Sequence, residues 1–301
     1  MADRMLLRYV ESEQDVIELE KLAAKAHFDI GIHDRRLQWR YTPKTHVVML
    51  DKDTKKIVGY VTANYISKNI FMRAHVFIEK AYRTKHTMLD LTPILDKTMI
   101  PKEPDTNIAH NCNGIMIKAA IRPEKGYIIS EKLLTYEGKI DHSNLRRFNK
   151  PMDGVTVRLI NSDSDLVQLL AYDKAMHSLG EREAFMRQWC TNDGVHATTA
   201  IALASSGVCV GFASLRRAIN LIEPAYAESE AIGISLLSTV LLTLPEKDIA
   251  QITYPASQRA VVAFCTAQDW SSCMTEHRCY SKRNIILPWS KIFATHDFFP
   301  L

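Results

Sequence analysis

The chain repeats itself. Shifted by 150 positions, "RYVESEQDVIELEKLAAKAH" from residue 8 lies over "RLINSDSDLVQLLAYDKAMH" from residue 158 without a gap. Arg8 meets Arg158, Ser12 meets Ser162, Asp15 meets Asp165 and Leu19 meets Leu169. His27 then meets His177, and Gln38-Trp39 meets Gln188-Trp189. These are seven identities over residues 8–40, where ordinary composition gives about two. With gaps the match continues: "KIVGYVTA" with "VCVGFASL", Ala81-Tyr82 with Ala225-Tyr226, and "IAHNCN" with "ITYPAS". A period of this length is no solenoid repeat; it is a domain written twice. The expected organisation is a domain over 1–140, a linker over 141–154 containing the polar, Pro- and Gly-bearing "NLRRFNKPMDG", and a second domain over 155–301.

Within the first copy, a short strand over 6–10 precedes a Ser/Asp-capped helix, "SEQDVIELEKLAAKAH". Strands "HVVMLD" and "IVGYVTANY" flank the turn "KDTKK", and a further strand covers about 70–79. A helix "TMLDLTPILDKTM", a strand "NIAHNC", a helix "GIMIKAAIR" and a hairpin "GYIISEKLLTYEG" complete it. The order β-α-β-β-β-α-β-α-β-β predicts an α/β (α+β) fold, a mixed sheet with helices on both faces. No Gly-rich dinucleotide fingerprint occurs.

Partners are bounded by charge and hydropathy. A net charge of +4 over 301 residues is too small to argue for nucleic acid without a basic patch. The longest apolar run, "AIGISLLSTVLLTL", is short of a bilayer span and reads as a buried helix, so no membrane partner is expected. Six cysteines without a CxxC pair read as reduced thiols, which suits a cytoplasmic protein. "CMTEHRC" lacks a second ligand pair, so no metal is assigned.

The stretch "AYRTKHTMLDL" over 81–91 joins an apolar strand through a basic turn to a helix start, the way a chain builds a phosphate cradle. Cradles favour glycine and this one has none, so a solvated basic turn is the other reading. At the matching turn of the second copy stand Glu228 and Glu230, which would repel a phosphate.

The element order, with "IVGYV", "FIEKAYRTKHTM" and "PEKGYIISEKLL", resembles the Gcn5-related N-acetyltransferases (GNAT). The second copy, through "LGEREAFMRQW", "EPAYAESEAIGISLL" and "RCYSKRNIILPWSKIFATHDF", resembles the C-terminal domain of YitH-type tandem members. The resemblance implies two tandem GNAT-like domains, each a splayed, mostly antiparallel mixed sheet, and an N-acetyltransferase. Its co-substrate would be acetyl-CoA or another short acyl-CoA, and its acceptor a small amine or amino acid. It implies direct transfer in a ternary complex, with a catalytically degenerate tandem binding protein as the alternative.

The same resemblance places cofactor contacts on Ile78, Tyr82, Arg83, Thr84, Lys85, His86, Thr87 and Met88, with His86 and Met88 where the family has glycines. General-base candidates are Glu79 and His75 on the strand before the turn and His110 on the fifth strand. Where the family has a tyrosine acid this chain has Arg122, which can stabilise a thiolate but cannot protonate it near neutral pH. The other reading of Arg122 is a helix end just before Pro123. Acceptor contacts are expected from Asp29, Asp34, Asn111, Arg182, Tyr226 and Tyr280, with the two aspartates suiting a cationic amine and Arg182 a carboxylate. His27 and Trp39 recur in the second copy, which argues for a shared structural role as strongly as for a site.

Overall fold

The computed structural model of the chain describes residues 5–295 apart from 29, 68–69, 84–104, 115–116, 119–125 and 178–181. The chain divides into two compact units, Met1–His110 and Asn111–Phe299. The division falls ahead of the boundary at 140 drawn from the repeat.

In the first unit the order is β1 (Met5–Tyr9), α1 (Glu13–Lys25), α2 (Ile32–Tyr41), β2 (His46–Asp51), β3 (Ile57–Ser67), β4 (Ile70–Ile78) and the start of β5 (Asn107–Asn113). The strands lie in sequence order in the sheet. Neighbours from β1 to β4 are antiparallel, and β4 and β5 are parallel. Ser12 starts α1 as expected, its hydroxyl accepting from Asp15 N at 3.2 Å. Val16, Leu19, Leu22 and Ala23 recur at helical spacing and pack on Val48, Leu50 and Tyr60 of the sheet. Each such aliphatic burial contributes about 1.5–3 kcal/mol.

The second unit repeats the plan with β7 (Val155–Leu159), α4 (Asp163–Met176), α5 (Glu183–Trp189), β8 (Ala197–Ala204), β9 (Cys209–Arg216), β10 (Leu221–Ala227), α6 (Glu230–Leu241), β11 (Ile249–Pro255), α7 (Arg259–Ala267), β12 (Ser271–Tyr280) and β13 (Ile292–Ala294). It also contains β6 (Ile128–Lys139) and α3 (His142–Phe148). Its sheet runs β7-β8-β9-β10-β11-β6-β12, with β13 pairing β10 off this path. The apolar run of the sequence is α6, whose Leu236, Leu237, Val240 and Leu241 are buried among Ile252, Tyr254, Phe264 and Phe293. No helix among the described residues is long and apolar enough to cross a membrane.

Two sequence expectations change. The hairpin expected over "GYIISEKLLTYEG" is one continuous strand, β6, inserted between β11 and β12. Within this strand, a Cβ at Gly138 would strike the indole of Trp270, whose Nε1 donates to Lys139 O at 3.0 Å. Part of the segment read as a linker forms α3, capped by Asp141, whose side chain accepts from Asn144 N at 3.1 Å. Leu145 of α3 is buried in the core of the second unit, its carbonyl accepting from Ser238 Oγ at 2.7 Å. The helices expected at "TMLDLTPILDKTM" and "GIMIKAAIR" fall largely or wholly outside the described residues.

Candidate functional site

The first copy's candidate site lies where β4 and β5 part. The two strands pair in parallel only from Ile70–Asn107 to Arg73–His110. β4 runs on to Ile78, held on its other side by β3 through Tyr60–Phe77 and Gly59–Ile78. On the side facing the opening, no strand among the described residues pairs with Val76–Ile78. Extended backbone with an open side is what an added strand of ligand or peptide engages.

Around this opening the predicted residues take definite places. His110 sits at the last paired position, opposite Arg73. His75 is buried and its ring stacks on Phe28, centroids 4.5 Å apart. Glu79 ends the strand, and its carboxylate meets Lys25 at 3.0 Å and Lys56 at 3.5 Å. The hydrogen bond from Lys25, with help from Lys56, lowers its pKa below the ordinary carboxylate value. A carboxylate held in this way is a weaker base than a free one.

The turn after β4 is a single 3-10 turn, Lys80–Tyr82. Arg83 folds back: its Nε donates to Ile78 O at 2.6 Å and its guanidinium covers the Phe77 ring at 5.1 Å. Tyr82 hydrogen-bonds Asp51, which is lowered first by the backbone of Thr54 and further by this contact. Arg83 thus braces the turn, a role that sequence alone did not suggest. Thr84, Lys85, His86, Thr87, Met88, Arg122 and Asp29 lie outside the described residues. Asp34 is buried on α2, next to Arg35, whose Nε donates to Glu20 Oε2 at 2.9 Å.

The second copy has the same parting, and its own chain fills it. β10 and β11 pair in parallel only at Leu221–Gln251 and Ile222–Ile252. Beyond that point β13 enters, pairing Ala225 with Ala294 and Tyr226 with Ile292. Thr295 N then donates to Thr253 O of β11 at 2.7 Å. Ile292, Phe293 and Ala294 are fully buried. Phe293 lies so close to α6 that only glycine fits at Gly233. Lys291 pairs with Glu228 at 2.6 Å, at the turn that matches the first copy's basic one. Gln258 Nε2 donates to Ser290 O at 2.6 Å and Trp289 O at 3.1 Å, fixing the approach to β13. The sequence reading missed this strand, whose only signal is the three apolar residues "IFA".

The second-unit acceptor candidates separate into two groups. Arg182 is engaged by Asp173, with Nε to Oδ2 at 3.0 Å and Nη2 to Oδ1. Tyr226 is fully buried against Phe212, at 5.4 Å between centroids, and His177, at 4.9 Å. Burial pushes its hydroxyl pKa up, and Arg182 offsets this in part. These side chains are core, not an open pocket. Tyr280 and Asn111 belong elsewhere, beside Arg278, whose Nε donates to Asn111 Oδ1 at 2.6 Å. Arg278 is a residue that the sequence reading passed over. Its signal is the spacing Glu276, Arg278, Tyr280, which puts all three on one face of a strand.

No protein-family model matches the chain, and no curated protein matches it. Solved structures do. A candidate acetyltransferase from Pyrococcus horikoshii superposes with a TM-score of 0.69 at 14% identity, covering 98% of this chain and 95% of that one. A tandem GNAT protein from the clavulanic acid biosynthesis pathway gives 0.64 at 14% identity, covering 92% and 97%. The N-myristoyltransferase of Saccharomyces cerevisiae, solved with bound myristoyl-CoA, gives 0.62 at 9% identity, covering 97% and 83%. Identities this low speak for the fold alone. The chain has the GNAT fold, in a polypeptide that carries it in tandem.

Proposed function

We propose that the protein is an acyl-CoA-dependent N-acyltransferase whose first copy receives acetyl-CoA or another short acyl-CoA and whose acceptor is a small amine or amino acid. The carrying observation is the contrast between the two partings: β13 fills the one between β10 and β11, and no described strand enters the one between β4 and β5. The fold supports the reaction class, and the myristoyl-CoA in one structural neighbour supports an acyl-CoA as donor. The six unbridged cysteines support the expectation of a reducing, cytoplasmic setting.

On this reading the open side of β4 at Val76–Ile78 takes the extended arm of the acyl-CoA as an added strand. The neutral acceptor nitrogen attacks the thioester carbonyl carbon. A carbon–nitrogen bond forms, the carbon–sulfur bond breaks, and CoA leaves as thiolate. The nitrogen's proton goes to a base, for which His75 and His110 are better suited than Glu79 with its two lysines. Arg122 supplies a fixed positive charge for the thiolate. The charged residues Arg83 and Lys85 take the pyrophosphate side. His86 and Met88 at the family's glycine positions favour a second reading, a tandem protein that binds acyl-CoA without turnover.

Thiol release from acetyl-CoA, followed with a panel of amines and amino acids, separates the two. Acceptor-dependent release with the amide product confirmed by mass supports the transferase. CoA binding without release for any acceptor selects the binding protein.

A further inference from the structure

The end of β4 has one edge bonded to β3 and one edge open, and parity decides which backbone groups lie on which. In an antiparallel pair, residues that exchange hydrogen bonds alternate with residues whose groups turn away. Glu79 N donates to Val58 O at 2.8 Å. Gly59–Ile78 and Tyr60–Phe77 continue that register without a shift. Phe77 and Glu79 therefore bond across to β3, and the N–H and C=O of Ile78 between them point away from it, to the open side.

That carbonyl is the one that Arg83 holds. Its Nε donates to Ile78 O at 2.6 Å, and its guanidinium lies over the Phe77 ring at 5.1 Å. The backbone of the turn is fixed separately, with Tyr82 N donating to Glu79 O at 2.9 Å and Arg83 N to Lys80 O at 3.2 Å. Only the Arg83 side chain has to move for the edge to open. A ligand laid along β4 as an added strand needs Ile78 O for its own N–H, so it and Arg83 compete for one carbonyl. The grip is exchangeable. Arg83 is exposed, and no carboxylate among the described residues pairs with it. Its partners are a neutral carbonyl and a ring face, and phosphate oxygens are stronger partners for a guanidinium than either. The matching edge of the second copy is held by backbone, through β13.

We infer that Arg83 selects the acyl donor: it holds the edge of β4 at Ile78 until a donor that carries a phosphate draws it away. The inference rests on the acyl-CoA reading above. A CoA thioester brings both the arm that takes the edge and the phosphates that free it. A thioester on a bare pantetheine arm has to displace Arg83 with nothing to offer its charge.

The test titrates the full chain with acetyl-CoA and with S-acetylpantetheine, which has the arm without the phosphates. Arg83→Ala and Arg83→Gln are run beside the wild type. Arg83 is exposed, so neither variant is expected to lose the fold. Alanine removes the bond to Ile78 O and the charge together. Glutamine carries an amide nitrogen as far along its side chain as Nε, so it keeps a donor for Ile78 O and loses the charge alone. S-Acetylpantetheine is expected to bind Arg83→Ala about threefold to tenfold tighter than the wild type, because one competing hydrogen bond is gone. It is expected to bind Arg83→Gln no tighter than the wild type. Acetyl-CoA is expected to bind both variants more weakly than the wild type. S-Acetylpantetheine binding that is unchanged or weaker in Arg83→Ala overturns the inference. So does an equal gain in Arg83→Gln, and so does acetyl-CoA binding to Arg83→Ala as tight as to the wild type. A wild type that binds neither probe counts against the acyl-CoA reading, and the inference falls with it. Acetyl-CoA bound by the wild type, with the wrong order of S-acetylpantetheine affinities, counts against the role of Arg83 alone.

Discussion

The two partings, β4 from β5 and β10 from β11, began as one feature and now differ in what enters them. In both copies the parallel pair lasts a few residues and then separates. In the second copy β13 takes the open edge of β10, buries Phe293 and ties Lys291 to Glu228. In the first copy the turn after β4 is braced by Arg83 on Ile78 O, and no described strand takes the edge of Val76–Ile78. The difference teaches that two copies of one scaffold need not keep the same opening: in one the edge is taken by the chain's own β13, and in the other no described strand takes it.

The largest expected effect lies on the closed side. Phe293→Ala removes a fully buried ring from the core around α6 and should cost about 3–5 kcal/mol in denaturant unfolding. Loss of under 1 kcal/mol would mean that β13 is a loose flap, and the contrast between the copies would fail.

The next prediction sharpens what the copies share. Arg8 grips Asp15 with two bonds of 2.7 Å, and Arg158 grips Asp165 with bonds of 2.6 and 2.7 Å. In both places the arginine hydrogen bond is the main cause that lowers the aspartate from 3.8 to about 2. A folded pKa below the unfolded one gives stability that is present above about pH 4 and lost as pH falls toward 2. Asp15→Asn and Asp165→Asn should each lose about 1.5–3 kcal/mol at neutral pH and flatten the acid limb between pH 4 and 2. Urea melts across that range check this, and an unaltered acid limb in both variants would contradict it.

These clamps explain what was legible. Arg8, Ser12 and Asp15 act within one strand-to-helix connection, so their spacing survives in the sequence and recurs as Arg158, Ser162 and Asp165. The next layer is less visible. Helix one is tied to helix two by Glu20–Arg35 in the first copy and by Asp173–Arg182 in the second, the same job at non-matching positions. Least legible are the non-local events. β6 reads as a hairpin from its local pattern, whereas its place between β11 and β12 is set by strands distant in sequence. β13 is too short to announce itself. The bond from Arg278 to Asn111 joins residues far apart in sequence and exists only once the chain has folded. Within the candidate site, Arg83 was placed by its motif, but its grip on the strand's own carbonyl depends on the turn's geometry.

A smaller effect probes the turns directly. Arg83→Ala with Lys85→Ala should weaken CoA binding by about 1–3 kcal/mol, while Glu228→Ala with Glu230→Ala should leave it unchanged. Comparable losses from both pairs would erase the distinction between the copies. Smallest is Arg122→Ala, expected to lower turnover about tenfold at unchanged melting temperature. Lost stability with normal turnover would make Arg122 a helix cap.

The most direct measurement is the stoichiometry of acetyl-CoA binding to the full chain by calorimetry, for the wild type and for Arg83→Ala with Lys85→Ala. One site per chain, weakened in the variant, is the predicted result. Two sites per chain, or one site indifferent to Arg83 and Lys85, would contradict the assignment of the open cleft to the first copy.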